Sequence, residues 1–302
     1  MTPNLRGIVL MVASMAAFAV EDALIKAASA TVPAGQVILV IAVAGLAAFG
    51  LWARVAGFSL WQRGAFAVPV VGRTLAEMVG TFGIVTALSL AALSTVTAIL
   101  QAAPIVVVAS AALILGEQVG WRRWTAVVVG FAGVLLILAP GAEGFDPNAI
   151  WAVLGVLGLA ARDIFARQID PRLPTPVVAS WGYAGVIVLG VGMTAHAGGP
   201  VWPDLTTALQ ITAATMIGLV AYWAIIEATR AGDVSIIAPF RYTRLVFGVG
   251  LGVIFFGEGV TLTILAGAVL VIGSGLYTLY RERLRRVEGA ATVPPGVRET
   301  RA

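Results

Sequence analysis

The sequence predicts an all-α membrane protein of ten transmembrane helices, arranged as two inverted five-helix repeats. Three observations predict it. The first is composition: the 302 residues are 60% hydrophobic and only 11% charged, with a mean hydropathy of +0.98. Soluble domains carry roughly 25% charge, and a water-exposed chain of this length has too little interior to hide so much apolar surface. The apolar segments are long and rich in Leu, Val, Ala and Gly, which favours helices over the short alternating strands of a barrel. The second is an internal repeat. Gly116-Glu117 closes one apolar segment, and Gly257-Glu258 closes another 141 residues on (257 minus 116). A gapless shift by that offset lays Ser94 on Ser235, Val119 on Val260, Val128 on Val269 and Leu135 on Leu276. Solenoid units run to only about 20 to 50 residues, so this repeat is half a protein. The third is the distribution of charge between the loops, taken up below.

A span needs about 20 apolar residues. Ten are expected, at 5–25, 35–53, 68–90, 94–115, 124–140, 149–165, 176–195, 206–228, 234–256 and 261–280. Arg6 ahead of an apolar run ending Ala16-Ala17-Phe18-Ala19 is signal-peptide-like, but the run continues into Glu21, Asp22 and Lys26, so a retained first span is expected. Breaks separate the spans at Pro140-Gly141, between Pro171 and Pro176, and at Gly198-Gly199-Pro200. The fourth span contains Pro104, which should loosen its helix near the middle; Pro239 sits early in the ninth. Residues 1–141 then form the first repeat and 142–280 the second. Pro294, Pro295, Gly289 and Gly296 with mixed charge mark 281–302 as a disordered cytoplasmic tail.

Loop charge sets the orientation. Arg6, Arg54, Arg63, Arg122, Arg123, Arg162, Arg167, Arg172, Arg230, Arg281, Arg283, Arg285 and Arg286 fall on one side. The opposite loops hold Glu143, Asp146, Asp204 and Glu258 with no Arg, and Lys26 lies near that side. Positive loops stay inside, so both termini are expected in the cytoplasm. Glu117 then falls inside and Glu258 outside. Five spans per half is an odd number, so the second half enters the membrane inverted, which places a site near the midplane with two equivalent ways of opening it.

Ionisable residues within spans are costly and mark function. There are five acids and five bases: Glu21, Asp22 and Lys26 in the first span, Arg73 and Glu77 in the third, Arg162 and Asp163 in the sixth, Glu227 in the eighth, Arg241 and Arg244 in the ninth. Asp22 with Lys26, and Arg73 with Glu77, are four apart on one helical face and can pair. Arg241 and Arg244 have no acid in their own span, so a substrate anion or an acid from another span must answer them. Ser94, Thr97 and Gln101 make a polar stripe on the fourth span. The repeat places Tyr242 opposite Gln101, and breaks at matching places in the two halves point to a substrate site.

Other signals exclude function classes. Cysteine is absent, so there is no thiol chemistry. Net charge is +4, but the bases are loop topology determinants, and no nucleic-acid partner is expected. Gly248-x-Gly250-x-Gly252 lies within an apolar span and reads as close helix packing, not as a dinucleotide fingerprint. His196 is the only histidine and lies at an outer loop. No P-loop, His or Cys cluster, or Gly-x-Ser-x-Gly is present, so neither an enzyme nor a cofactor or metal is expected.

Three stretches carry a family resemblance: Phe18 to Lys26; Leu93 to Glu117; and Ala238-Pro239-Phe240-Arg241-Tyr242-Thr243-Arg244 running to Phe256-Gly257-Glu258. With ten spans and two inverted halves, the chain resembles the drug/metabolite transporter superfamily in its EamA branch, over roughly residues 7–280. The resemblance implies that spans one to four and six to nine surround a central cavity, with five and ten peripheral. It also implies a similarity to carriers of amino acids, nucleotide-like metabolites, vitamins or drugs, and in the ninth-span pattern to uptake carriers for S-adenosylmethionine or riboflavin.

The function expected is secondary transport, without ATP, of a small polar or zwitterionic metabolite across the bacterial inner membrane by alternating access. Arg241 and Arg244 would attract an anionic group; Asp22 or Glu77 would hold a cationic group or a coupling proton. Tyr242, Gln101 and Trp223 would supply hydrogen bonds and an aromatic wall, and Lys26 and Arg73 complete the candidate set. The balance of acids and bases favours a zwitterion. The partners expected are a small-molecule substrate and the lipid bilayer, with room for proton coupling and a homodimer. An uncoupled facilitator of the same fold is the rival, and a lipid-handling protein a more distant one. Substrate, direction and coupling ion are not legible.

Overall fold

In the computed structural model, which describes residues 2–116, 120–138, 146–232 and 234–291, all regular structure is helical. The elements in order are α1 (Pro3–Ala28), α2 (Ala34–Val55), α3 (Val68–Leu90), α4 (Leu93–Leu100), α5 (Ala103–Ile114), α6 (Trp121–Leu138), α7 (Ile150–Ala166), α8 (Thr175–His196), α9 (Leu205–Ala231), α10 (Val234–Ile237), α11 (Thr243–Phe256) and α12 (Leu262–Ala291). Among the described residues nine helical stretches are long and apolar enough to cross a membrane, α4 and α5 counting as one, and Trp124–Leu138 is a shorter apolar helix. The ten expected spans are thereby all helical.

The repeat is written in the helix ends. Shifted by 141, Ala34–Val55 falls on Thr175–His196 end for end, the last residue of α3 falls on that of α9, and the start of α6 falls on that of α12. Packing obeys the same operation: α1 lies on α9 and α7 on α3, while α2 pairs with α8, α4 with α11, and α6 with α12. Each half therefore completes its own bundle only against the other. Gly116 and Gly257 both take positive φ, +67° and +62°, where a Cβ would be strained; Gly257 ends α11 and turns the chain so that Glu258 faces back into the bundle. Glu117, Pro140, Gly141 and Glu143 lie outside the described residues.

Both expected breaks occur. Leu100 ends α4 two residues before α5 resumes ahead of Pro104. A 3-10 turn, Ala238–Tyr242, carries Pro239 between α10 and α11. Proline removes an N–H and its ring clashes with the preceding turn, so the α ladder restarts on its far side. Close approach is set by small residues. A Cβ on Gly158 would lie 2.3 Å from the backbone nitrogen of Gly80, so α3 and α7 touch backbone to backbone. Gly248 and Gly252 likewise abut Thr97 and Ser94, as the packing reading of that glycine run requires, while Gly250 faces open space.

One boundary needs correction. α12 runs to Ala291, so the disordered stretch expected from residue 281 does not begin there. Arg281-Glu282-Arg283-Leu284-Arg285-Arg286 consists of strong helix formers following an established helix, and propagation costs far less than nucleation. Residues 292–302 lie outside the described residues.

Candidate functional site

Two ion pairs between helices, Asp22–Arg244 and Glu77–Arg162, each join one half of the chain to the other. Asp22 on α1 receives Arg244 of α11: Nε and Nη2 both donate to Oδ2, at 3.1 and 2.6 Å. The Asp22 side chain is 6% exposed, and the guanidinium also lies 5.3 Å from the Phe18 ring. A carboxylate at this depth persists as an ion only with such a partner. Arg244 therefore finds the acid from another span that its own span lacks.

The second group sits where α3 and α7 touch. Glu77 accepts Arg73 at 3.3 Å one turn away and Arg162 of α7 at 3.2 Å; Arg162 reaches Asp163 at 2.9 Å. Two acids and two bases cancel within one cluster. The glycine contacts between α3 and α7 explain how the four side chains come within reach. The expected Arg73–Glu77 pair thus forms, enlarged by two residues from the other half.

The expected Asp22–Lys26 pair does not form. Lys26 lies one turn higher, at the corner between α3 and α4. Its Nζ donates to the carbonyls of Leu88 (3.4 Å) and Ala91 (2.5 Å), stands 4.0 Å from Glu258, and lies 5.5 Å from the Phe256 ring. The terminal carbonyls of α3 have no partner within their own helix, so they compete for the ammonium while Arg244 takes Asp22. Glu258 faces the same corner. Its two oxygens accept the N–H groups of Leu93 (2.6 Å) and Ser94 (2.8 Å), capping α4 across the repeat.

The polar stripe of α4 is buried rather than lining a cavity. Ser94 and Thr97 are 0% exposed and pack on the α11 glycines. Gln101 donates to the backbone carbonyl of Arg241 at 3.5 Å, fastening the two chain breaks together. Tyr242 is buried with its hydroxyl against Gly275 of α12, so it faces a peripheral helix. Trp223 is 58% exposed, in line with Leu209, Met216 and Val220. Seven-residue steps keep these side chains on one outward stripe, where lipid takes the place of water. Neither ring is joined to the Asp22–Arg244 pair. Arg241 differs from the other candidates: no carboxylate among the described residues lies within 4.0 Å of its guanidinium, and Asp163 and Arg162 are its charged neighbours.

Residue-by-residue reading passed over Glu21. Its carboxylate lines a small cavity with Phe18, Ile41, Tyr183, Thr215, Gly218 and Tyr222. Phe49 extends the aromatic wall, stacked on Tyr183 at 5.6 Å and edge-on to Tyr222 at 5.5 Å. A signal existed in the sequence: shifted by 141, Glu21 falls on Arg162. A larger cavity lies away from the spans, beneath the α2–α3 and α7–α8 loops, lined by Arg63, Pro69, Gln168, Asp170 and Arg172 among others.

The sequence profile of the EamA-like transporter family matches residues 5–139 and again 147–280. Among characterised relatives, an S-adenosylmethionine uptake transporter of Rickettsia bellii is 27% identical over 196 residues, 65% of this chain and 67% of the relative. A riboflavin transporter of Rhizobium johnstonii is 28% identical over 189 residues, 63% of this chain and 62% of the relative. The alignments thus span about two thirds of those proteins. The pseudopaline exporter CntI of Pseudomonas aeruginosa is 26% identical over 278 residues, 88% of this chain and 93% of the relative. One crystallised protein matches at 22% identity with a TM-score of 0.60, covering 92% of this chain and 98% of that one, a likeness of fold.

Proposed function

This chain belongs to the EamA-like transporter family of the drug/metabolite transporter superfamily, and on that premise we propose that it is a secondary transporter of a small zwitterionic metabolite, working by alternating access in the bacterial inner membrane. The observation that carries the proposal is the placement of ion pairs between the halves. Asp22–Arg244 and Glu77–Arg162 each tie a helix of residues 1–141 to one of residues 142–280. Pairs that bridge the two halves are made or loosened when the halves rock, so the same residues bind substrate and couple it to the motion. Arg241 is exposed within a span without a carboxylate at ion-pair distance among the described residues, and attracts the substrate's anionic group. Arg244 and Asp22 form a switchable pair beside it, open to exchange with substrate charges or a proton. Both termini face the cytoplasm, as the loop arginines require.

Named relatives include an S-adenosylmethionine uptake transporter, a riboflavin transporter and a pseudopaline exporter, which supports a metabolite substrate and leaves direction open. Purified protein in proteoliposomes, offered a panel of zwitterionic, cationic, anionic and neutral metabolites, should accumulate or exchange at least one zwitterion. Absence of flux across the whole panel, under imposed proton and substrate gradients, overturns the proposal.

A further inference from the structure

The internal symmetry carries an inference that no single residue does. The shift of 141 that superposes the halves lays Glu21 on Arg162 and Glu77 on Gly218. In one of these equivalent places Arg162 meets Glu77 at 3.2 Å, a base answered by an acid. In the other, Glu21 meets Gly218. A Cβ built on Gly218 would lie 2.3 Å from Glu21 Oε1, so the carboxylate points at the bare backbone of Gly218. An acid stands where the other half has a base, and glycine stands where the other half has the acid that answers it. Glu21 forms no hydrogen bond or ion pair among the described residues, since neighbouring Asp22 takes Arg244.

What surrounds Glu21 has also diverged. Phe18, Tyr183 and Tyr222 line its cavity, and the residues that correspond to them across the repeat are Leu159, Ala42 and Thr81. An aromatic wall therefore stands around the acid that takes the place of a base. Aromatic faces carry negative potential, and with a carboxylate they attract a cation more strongly as water is excluded. The paired place shows what a closed, internally neutral arrangement looks like in this fold; the Glu21 place has an acid where that arrangement has its base and glycine where it has its acid, which leaves a carboxylate without an answering charge.

We propose that Glu21, with Phe18, Tyr183 and Tyr222, forms a subsite for the cationic group of the transported molecule, a methylated onium or a primary ammonium that sits in the space Gly218 leaves beside the carboxylate. It rests on the transport reading and deepens it: the cationic end goes to Glu21 rather than to Asp22 or Glu77, which are already paired, and the anionic end to Arg241.

The test uses the full-length protein in lipid nanodiscs, with choline as probe and its uncharged isostere, carbon replacing nitrogen, as control. Choline should raise the thermal stability of the wild type saturably and the isostere should not. Glu21→Gln should weaken the apparent affinity for choline about tenfold or more. Gly218→Lys should place a cation of the protein's own beside Glu21, abolish the choline response and raise the stability of the unliganded protein. Equal stabilisation by choline and its isostere, no stabilisation by either, or an undiminished choline response in Glu21→Gln overturns the subsite. Parallel flux assays separate the two proposals. Flux without a charge-selective choline response leaves the transport reading standing and removes the subsite; a choline response lost in Glu21→Gln, without flux of any metabolite, does the reverse.

Discussion

Asp22 and Lys26 stand one turn apart on the same helix, and they do different work. Asp22 points into the bundle and holds Arg244 of the other half at 2.6 Å. Lys26 points at the corner of α3 and α4, bonds two backbone carbonyls, and shares that corner with Glu258, which caps α4. One is a charge whose partner belongs to the other half; the other is a tie for backbone groups that a helix end leaves unsatisfied. The difference teaches that intramembrane charge alone does not identify a binding residue. The partner does: a side chain whose hydrogen bonds go to backbone serves the frame, and one that hydrogen-bonds a side chain across the repeat, or nothing, serves the site.

Substitutions at Asp22, Glu258, Lys26 and Trp223 probe that division, and the largest effect is expected at Asp22. Asp22→Ala leaves a guanidinium buried without its anion and should cost about 3–5 kcal/mol. The double variant Asp22→Ala with Arg244→Leu should recover much of this, as measured by denaturation in detergent. Non-recovery would mean the pair is not the reason for the loss. Glu258→Ala should cost about 1–3 kcal/mol by freeing the Leu93 and Ser94 N–H groups, while Glu258→Gln, which can answer only one of them with an oxygen, should fall between. Lys26→Met, which keeps the apolar stem and removes the donor, should cost about 1 kcal/mol. A loss equal to that of Asp22→Ala would erase the distinction drawn here. Trp223→Leu should change stability by less than about 0.5 kcal/mol and leave ligand response unaltered, since the ring faces outward; a large change would return Trp223 to the site.

Much of the fold was legible because hydropathy and a gapless repeat are one-dimensional signals. Span positions, both proline breaks and the packing role of Gly248 and Gly252 followed from them. The site was legible in its residue types and less so in its pairings. Local spacing favoured Asp22–Lys26 over Asp22–Arg244, because helical proximity can be counted in sequence and contact between α1 and α11 cannot. Trp223 and Tyr242 were plausible site rings until the direction of each helix face was known. Glu21 was passed over for a different reason: residues were weighed one by one, whereas its meaning lies in Gly218, the place where the other half carries Glu77. The helical end of α12 was hidden by charge and glycine content, which suggest a loose tail even where the residues between them favour helix.

The account turns on Asp22 serving the site and Lys26 serving the frame, and one flux measurement separates them. Proteoliposomes carrying wild type, Asp22→Asn or Lys26→Met, matched for folded protein, are compared for exchange of the best zwitterionic substrate from the panel. The account predicts that Asp22→Asn loses exchange by about a hundredfold or more, while Lys26→Met stays within about threefold of wild type once folded protein is equal. Equal loss in both variants, or full exchange by Asp22→Asn, would contradict it.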